Sequence, residues 1–164
     1  MGIHEFDWLN WTFGPVERVM AKRIKHRNEN GEDIEYGLVT LKLKSGAIAH
    51  IELSWAETAF FASFELTGDK GLLSSNNHFP EPLAIHIRDS TSDEQQSGKD
   101  LLPKTLLAKD PFEQQLEHFY RVLSGKEEPV ISATEAADAV CLAEAALISA
   151  KTGEPVEIEG REDL

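Results

Sequence analysis

His4 stands one helical turn ahead of Asp7, with the rings of Phe6 and Trp8 beside them. Side chains at i and i+3 on a helix are neighbours, so the carboxylate can orient an imidazole or stabilise its charged form. An imidazole ionises near neutrality, which suits it to take a proton from a substrate hydroxyl, and the flanking rings limit water. The same facts fit a partly exposed helical histidine close to a fraying end. The residues by themselves lean to that plainer description.

Other chemistry is thinly marked. The remaining histidines, at 26, 50, 78, 86 and 118, are scattered, whereas a zinc site needs several His or Cys ligands at short intervals, so no metal is expected. His50 falls on the wetter face of a strand and His118 on a helix flank. No Gly-x-Gly-x-x-Gly lies between a strand and a helix, and no Gly-x-x-x-x-Gly-Lys-Ser/Thr occurs, so the chain itself is expected to hold no nucleotide cofactor. Cys141 is the single cysteine and cannot form an internal disulfide, which suits a reducing cytoplasm. Set among alanines and leucines, it reads as a packed thiol.

The elements that must position these residues are strands first and helices last. Residues 1–13 place Ile3, Phe6, Leu9 and Phe13 at helical spacing, and Gly14-Pro15 stops that helix. Residues 16–27 read as a strand with Val16, Met20 and Ile24 along it. The central stretch, residues 34–73, reads as three or four antiparallel strands. Val39, Leu41 and Leu43 alternate with polar positions, Ser45-Gly46 makes the turn, and Ala49, Ile51, Leu53 and Trp55 form the apolar side of the return strand. Residues 60–67 continue the pattern, and residues 68–71 turn the chain into Leu72-Leu73.

Residues 74–82 read as loop, residues 83–88 as an edge strand, residues 89–100 as a polar mobile stretch and residues 101–109 as irregular strand. Asp110-Pro111-Phe112-Glu113 then opens a helix with Phe112, Leu116, Phe119 and Leu123 in a stripe, ending at Gly125. Ser132-Ala133-Thr134-Glu135 opens another, with Ala136, Val140, Ala143 and Leu147 along it to Gly153, and residues 155–158 form a last short strand. This order argues an α+β fold: an open-faced, predominantly antiparallel sheet with helices packed on one face. The opposite face, with Leu38, Ile48 and Phe61 among polar residues, is either wet or meets another subunit.

At 164 residues the chain fits one domain, two small ones being the less natural alternative. A hydrophobic share of 41% with 27% charged residues is that of a soluble globular protein. The net charge is −13, and residues 89–164 carry 7 basic against 17 acidic side chains. Such acidity repels phosphate backbones and anionic lipid, so neither nucleic acid nor membrane is an expected partner. The basic cluster at residues 22–27 reads as the exposed edge or wet face of a strand. No segment is long and apolar enough to span a bilayer, and none opens the chain as a signal peptide would.

Taken together, Gly2-Ile3-His4-Glu5-Phe6-Asp7-Trp8-Leu9, Trp11 and Phe13-Gly14-Pro15-Val16 resemble the start of the C-terminal domain of the Gfo/Idh/MocA family, named for glucose-fructose oxidoreductase, inositol dehydrogenase and rhizopine catabolism. The resemblance continues through Gly46-Ala47-Ile48-Ala49, Phe64-Glu65-Leu66-Thr67-Gly68-Asp69-Lys70-Gly71, and residues 132–158 with Gly153-Glu154-Pro155-Val156. It implies a glyceraldehyde-3-phosphate dehydrogenase-like C-terminal domain: the substrate-binding and oligomerisation part of an NAD(P)-dependent oxidoreductase acting on a sugar, cyclitol or related polyol. NAD or NADP would be bound by a separate Rossmann domain, and the chain would form a homo-oligomer through its sheet face. His4 aligns with the histidine of the family's Asp-x-x-x-His motif and would be catalytic, and Asp7 would orient it or touch a substrate hydroxyl.

The family's aspartate would fall one place before Met1, and its Glu-Lys-Pro lysine belongs to the Rossmann domain. Residues 1–164 are therefore expected to be a single domain lacking that partner, inactive alone, an excised or separately encoded piece of a larger enzyme. A stand-alone binding or assembly module that kept the scaffold without redox chemistry is the rival reading.

Overall fold

The computed structural model describes residues 2–55, 61–76, 83–87, 97–98 and 110–159. In chain order these form α1 (Ile3–Phe13), β1 (Val16–Arg27), β2 (Asp33–Leu43), β3 (Ile48–Ser54), β4 (Ser63–Gly68), β5 (Gly71–Asn76), β6 (Ala84–Ile87), β7 (Ser97–Gly98), α2 (Pro111–Leu123), α3 (Ala133–Thr152) and β8 (Val156–Glu157). The class is α+β with antiparallel sheets, as the alternation implies. Its strands divide differently from the expected run over residues 34–73. They fall into two four-stranded sheets, ordered β3-β2-β1-β8 and β4-β5-β6-β7. The first belongs to a compact unit of Met1–Ala56 and Val130–Leu164, the second to a unit of Glu57–Pro129.

In the first unit the period-two pattern does what it promises. Val39, Leu41 and Leu43 of β2 are buried, and Ile51 of β3 joins them across the antiparallel register Val39↔Ile51. The hairpin closes with hydrogen bonds from Gly46 N–H to Leu43 O and from Leu43 N–H to Ala47 O, both 2.9 Å. Gly46 sits at φ 90, so the connection is one residue longer than the Ser45-Gly46 pair the sequence suggests.

Strand β1 departs from the expected face. Val16 pairs with Leu43 and Arg18 with Lys42, leaving Glu17 as an extra residue. That bulge lets Val16 and Val19, three apart, point into the same core, with Ala21 next in line. Ile24 consequently lies on the other side, where it is 65% exposed, while the Met20 thioether reaches Ser149 Oγ of α3 at 3.5 Å.

The helices over this sheet are α1 and α3. Phe6 and Leu9 of α1 are buried, while Leu142, Ala145 and Ala146 of α3 complete the core. Ala136, Val140 and Leu147, expected as the packing stripe of α3, are exposed instead. The reason is compositional: alanines occur all around this helix, so the hydrophobic pattern does not single out one face. Its capping box forms as read, with Ser132 Oγ accepting from Glu135 N–H and Glu135 Oε2 accepting from Ser132 N–H. Cys141 lies on the exposed side of α3, which corrects the expectation of a packed thiol.

In the second unit, β4 and β5 form a hairpin around Asp69-Lys70, and β6 pairs with both β5 and β7, so it is no edge strand. Gly71 admits no side chain: a Cβ there would lie 2.1 Å from the carbonyl oxygen of His86 on the neighbouring strand. Helix α2 begins as the sequence indicates, with Asp110 Oδ1 accepting from the N–H groups of Phe112 and Glu113. Its stripe of Phe112, Leu116, Phe119 and Leu123 is 59–75% exposed. Of the loop expected over residues 74–82, residues 74–76 instead complete β5, and residues 77–82, most of the polar stretch at 89–100 and the strand at 101–109 lie outside the described residues.

Candidate active site

Helix α1 is anchored at its first turn. Phe6 N–H donates to Gly2 O at 3.1 Å, and the buried Phe6 ring ties that turn to the core. Gly2 lies against β3, since a Cβ on it would meet Leu53 Cδ1 at 2.7 Å. His4 is thereby held on the outer side of a turn whose inner side is fixed, and it is exposed. Asp7 is half-buried one turn on. Among the described residues no hydrogen bond or ion pair joins the two. Trp8 packs edge-to-face on Phe13, with ring centroids 5.9 Å apart, which braces the helix.

A second set of polar groups lies on the α3 side of the same sheet. Arg23 Nη2 donates to both carboxylate oxygens of Glu35, at 2.8 and 2.9 Å. Lys25 reaches Glu35 at 3.1 Å and Asp33 at 3.3 Å, and Arg27 reaches Asp33 at 3.3 Å. The Arg23 guanidinium, then the Lys25 ammonium, holds the Glu35 carboxyl below the usual glutamate range. Glu35, then Asp33, raises Lys25 above its ordinary value. Trp55 continues β3 by donating its N–H to Glu35 O at 2.8 Å, and its indole is 61% exposed. The basic cluster is thus largely neutralised by carboxylates across the strand pair. This group escaped the sequence reading because Trp55, Glu35 and Lys25 are brought together by register alone, although Trp55 was visible at the end of an apolar face.

Two other histidines stand beside polar neighbours. His50 Nδ1 lies 3.1 Å from Thr40 Oγ1 on the opposite sheet face, and His118 Nδ1 lies 2.9 Å from Glu127 Oε2 after α2. Among the described residues no group of three His, Cys, Asp or Glu is arranged to hold a metal ion. Among them, too, no helix is long and apolar enough to cross a membrane. The described residues do not fit a dinucleotide. Both sheets are antiparallel, and no described helix is entered by a glycine-rich turn directly from a parallel strand.

The profile described as the GFO/IDH/MocA C-terminal domain matches residues 1–74. No curated protein matches the chain in sequence. Among solved structures, it is similar to the WlbA dehydrogenase from Bordetella pertussis in complex with NADH and UDP-GlcNAcA. That likeness has 22% identity and a TM-score of 0.68, over 96% of this chain and 43% of that one. Aldose-aldose oxidoreductase from Caulobacter crescentus, complexed with glycerol, matches at 18% identity and a TM-score of 0.69, over 96% and 46%. Levoglucosan dehydrogenase in its apo form matches at 14% identity and a TM-score of 0.72, over 99% and 51%. At these identities the likeness is one of fold, and the chain spans about half the length of each of these enzymes. The profile match thus covers the first 74 of 164 residues, and over nearly all its length the chain shares the fold of these oxidoreductases.

Proposed function

We propose that this chain is the substrate-binding and oligomerisation domain of an NAD(P)-dependent oxidoreductase acting on a sugar, cyclitol or related polyol, and that it is inactive alone. The observation carrying this is the match of nearly the whole chain to about half of several oxidoreductases, among them a levoglucosan dehydrogenase and an aldose-aldose oxidoreductase. In this reading residues 1–164 act as one domain beside a dinucleotide-binding Rossmann domain, in the cytoplasm. His4 accepts the proton of the substrate hydroxyl being oxidised, which requires an exposed imidazole on a fixed backbone, the setting α1 provides. Asp7 orients His4 or binds an adjacent hydroxyl after a rotamer change. The chain's own residues contribute a proton acceptor and a binding platform. Hydride chemistry belongs to the cofactor and the domain that holds it.

The homo-oligomer forms through the face of the first sheet opposite α1 and α3. There Ile24, Leu38 and Ile48 are exposed among Tyr36, Thr40 and His50, a mixed apolar and polar surface of the kind that covers a partner. The test is reconstitution. The chain mixed with a Rossmann-domain fragment of the same enzyme, NAD and a panel of polyols should reduce NAD, whereas the chain and NAD without that fragment should not. Reduction by the chain alone, or none after mixing, refutes the proposal. In the complete enzyme His4→Ala should lower kcat by about 100-fold or more, the scale of general-base catalysis.

A further inference from the structure

Two open clefts on the α3 side of the first sheet share Lys25. One, of about 340 Å³, is lined by Lys25, Asp33, Glu35 and Trp55. The other, of about 270 Å³, is lined by Arg23, Lys25, Leu147, Ala150 and Lys151. Trp55, Glu35 and Lys25 form a row across three strands, spanning about 10 Å at the usual strand spacing. In the next row Gly37 stands between Leu53 and Arg23, and the nearest atom to a Cβ built on it is Lys22 O at 3.9 Å. The missing side chain leaves a low floor beside the indole.

The parts are those that hold a sugar ring. An exposed indole offers a flat apolar face with a polar edge, on which the C–H side of a pyranose packs. Glu35 is a fixed acceptor and Lys25 a fixed donor for ring hydroxyls, since each is pinned by its ion pairs. The charge selects further. The two clefts carry three cations, Arg23, Lys25 and Lys151, against two carboxylates, Asp33 and Glu35. Lys151 has no ion-pair partner among the described residues, so one positive charge is uncompensated on a chain of net charge −13.

From this arrangement we infer that the shelf binds a sugar ring bearing a carboxylate, with the ring on Trp55, hydroxyls at Glu35 and Lys25, and the carboxylate facing Arg23 and Lys151. This deepens the polyol reading by giving the ligand an acidic group. Leu53, two residues before Trp55 on the same sheet face, touches Gly2 at the start of α1. Two residues of strand are about 7 Å, so the shelf begins next to the turn that carries His4.

The probe is D-glucuronate, titrated into the 164-residue chain by calorimetry, with D-glucose as the neutral control. Saturable glucuronate binding is expected, at least tenfold tighter than glucose and weakened by salt. Trp55→Leu should weaken it tenfold or more, and Lys151→Gln should bring glucuronate down to the affinity of glucose. Both side chains are exposed, so the urea midpoints of the variants should match the parent, which separates lost binding from lost fold. Absence of saturable glucuronate binding, equal affinity for glucose, or an unchanged Trp55→Leu variant each overturns the inference. The redox reading is judged separately, because a reconstituted enzyme that oxidised a neutral polyol at full rate with Trp55→Leu would keep that reading and remove the shelf.

Discussion

Ser149 Oγ on α3 accepts the backbone N–H of Ala21 on β1 at 2.9 Å, and the serine is fully buried. Strand β8 pairs with β1 only at Arg18 and Val19, so the N–H of Ala21 has no strand beside it on that side among the described residues. A helix side chain takes the place of the missing strand. Ser149→Ala should leave a buried donor unsatisfied and cost about 1–3 kcal/mol. Thermal melting should show a fall of roughly 2–4 °C for each kcal/mol at this chain length.

The contact between Gly71 and His86 sets the second expectation. A methyl group at residue 71 would collide with a backbone oxygen rather than a side chain that could turn aside. Gly71→Ala should therefore cost at least about 1–3 kcal/mol and separate β5 from β6. Hydrogen exchange would read this as faster exchange at Leu73, whose register partner is Ile85, with little change in β1 and β2.

Acid should weaken the Arg23–Glu35–Lys25 row. Glu35 is depressed in the folded chain, so its contribution is complete above the ordinary glutamate range and is lost as pH falls through the depressed value. Lys25 is raised, so its contribution is present below the ordinary lysine value and is lost as pH rises through the raised one. Urea midpoints followed from pH 7 to pH 3 should fall less steeply for Glu35→Gln than for the parent. These groups are solvent-facing, so added salt should shrink the difference.

The α3 capping box should behave independently of the core. Ser132→Ala removes the acceptor for Glu135 N–H and should cost about 0.5–2 kcal/mol by chemical denaturation. Glu135→Gln keeps the hydrogen-bonding shape and should cost less.

For α2 the expectation runs the other way. Leu116 and Phe119 are exposed, so Leu116→Ser with Phe119→Ser should change the unfolding free energy by less than about 0.5 kcal/mol per site. The measurable change should be a lower tendency to self-associate in light scattering.

What could be read from residues alone follows from which interactions are local. The caps at Asp110 and Ser132 and the glycine of the β2–β3 hairpin are decided within a few residues, and they stand where the sequence puts them. The phase of β1 is not local. Glu17 is extra only relative to β2, so the apolar spacing of Val16, Met20 and Ile24 has left the core by Ile24. Alternation likewise shows that residues 63–68 form a strand, but not that β4 pairs with β5 in a sheet separate from β2 and β3. The stripe on α2 announces an apolar face without naming what would cover it. His4 was legible as a candidate through its type, its neighbours and the family resemblance, whereas the Trp55 shelf needed three strands in register.

The bulge at Glu17 makes β1 a strand with two reading frames, one on each side of a single added residue. Removing that residue would keep Val16 and Val19 on one face, since they would then stand two apart, but it would straighten the strand and take away the local twist with which β1 leaves the turn after α1.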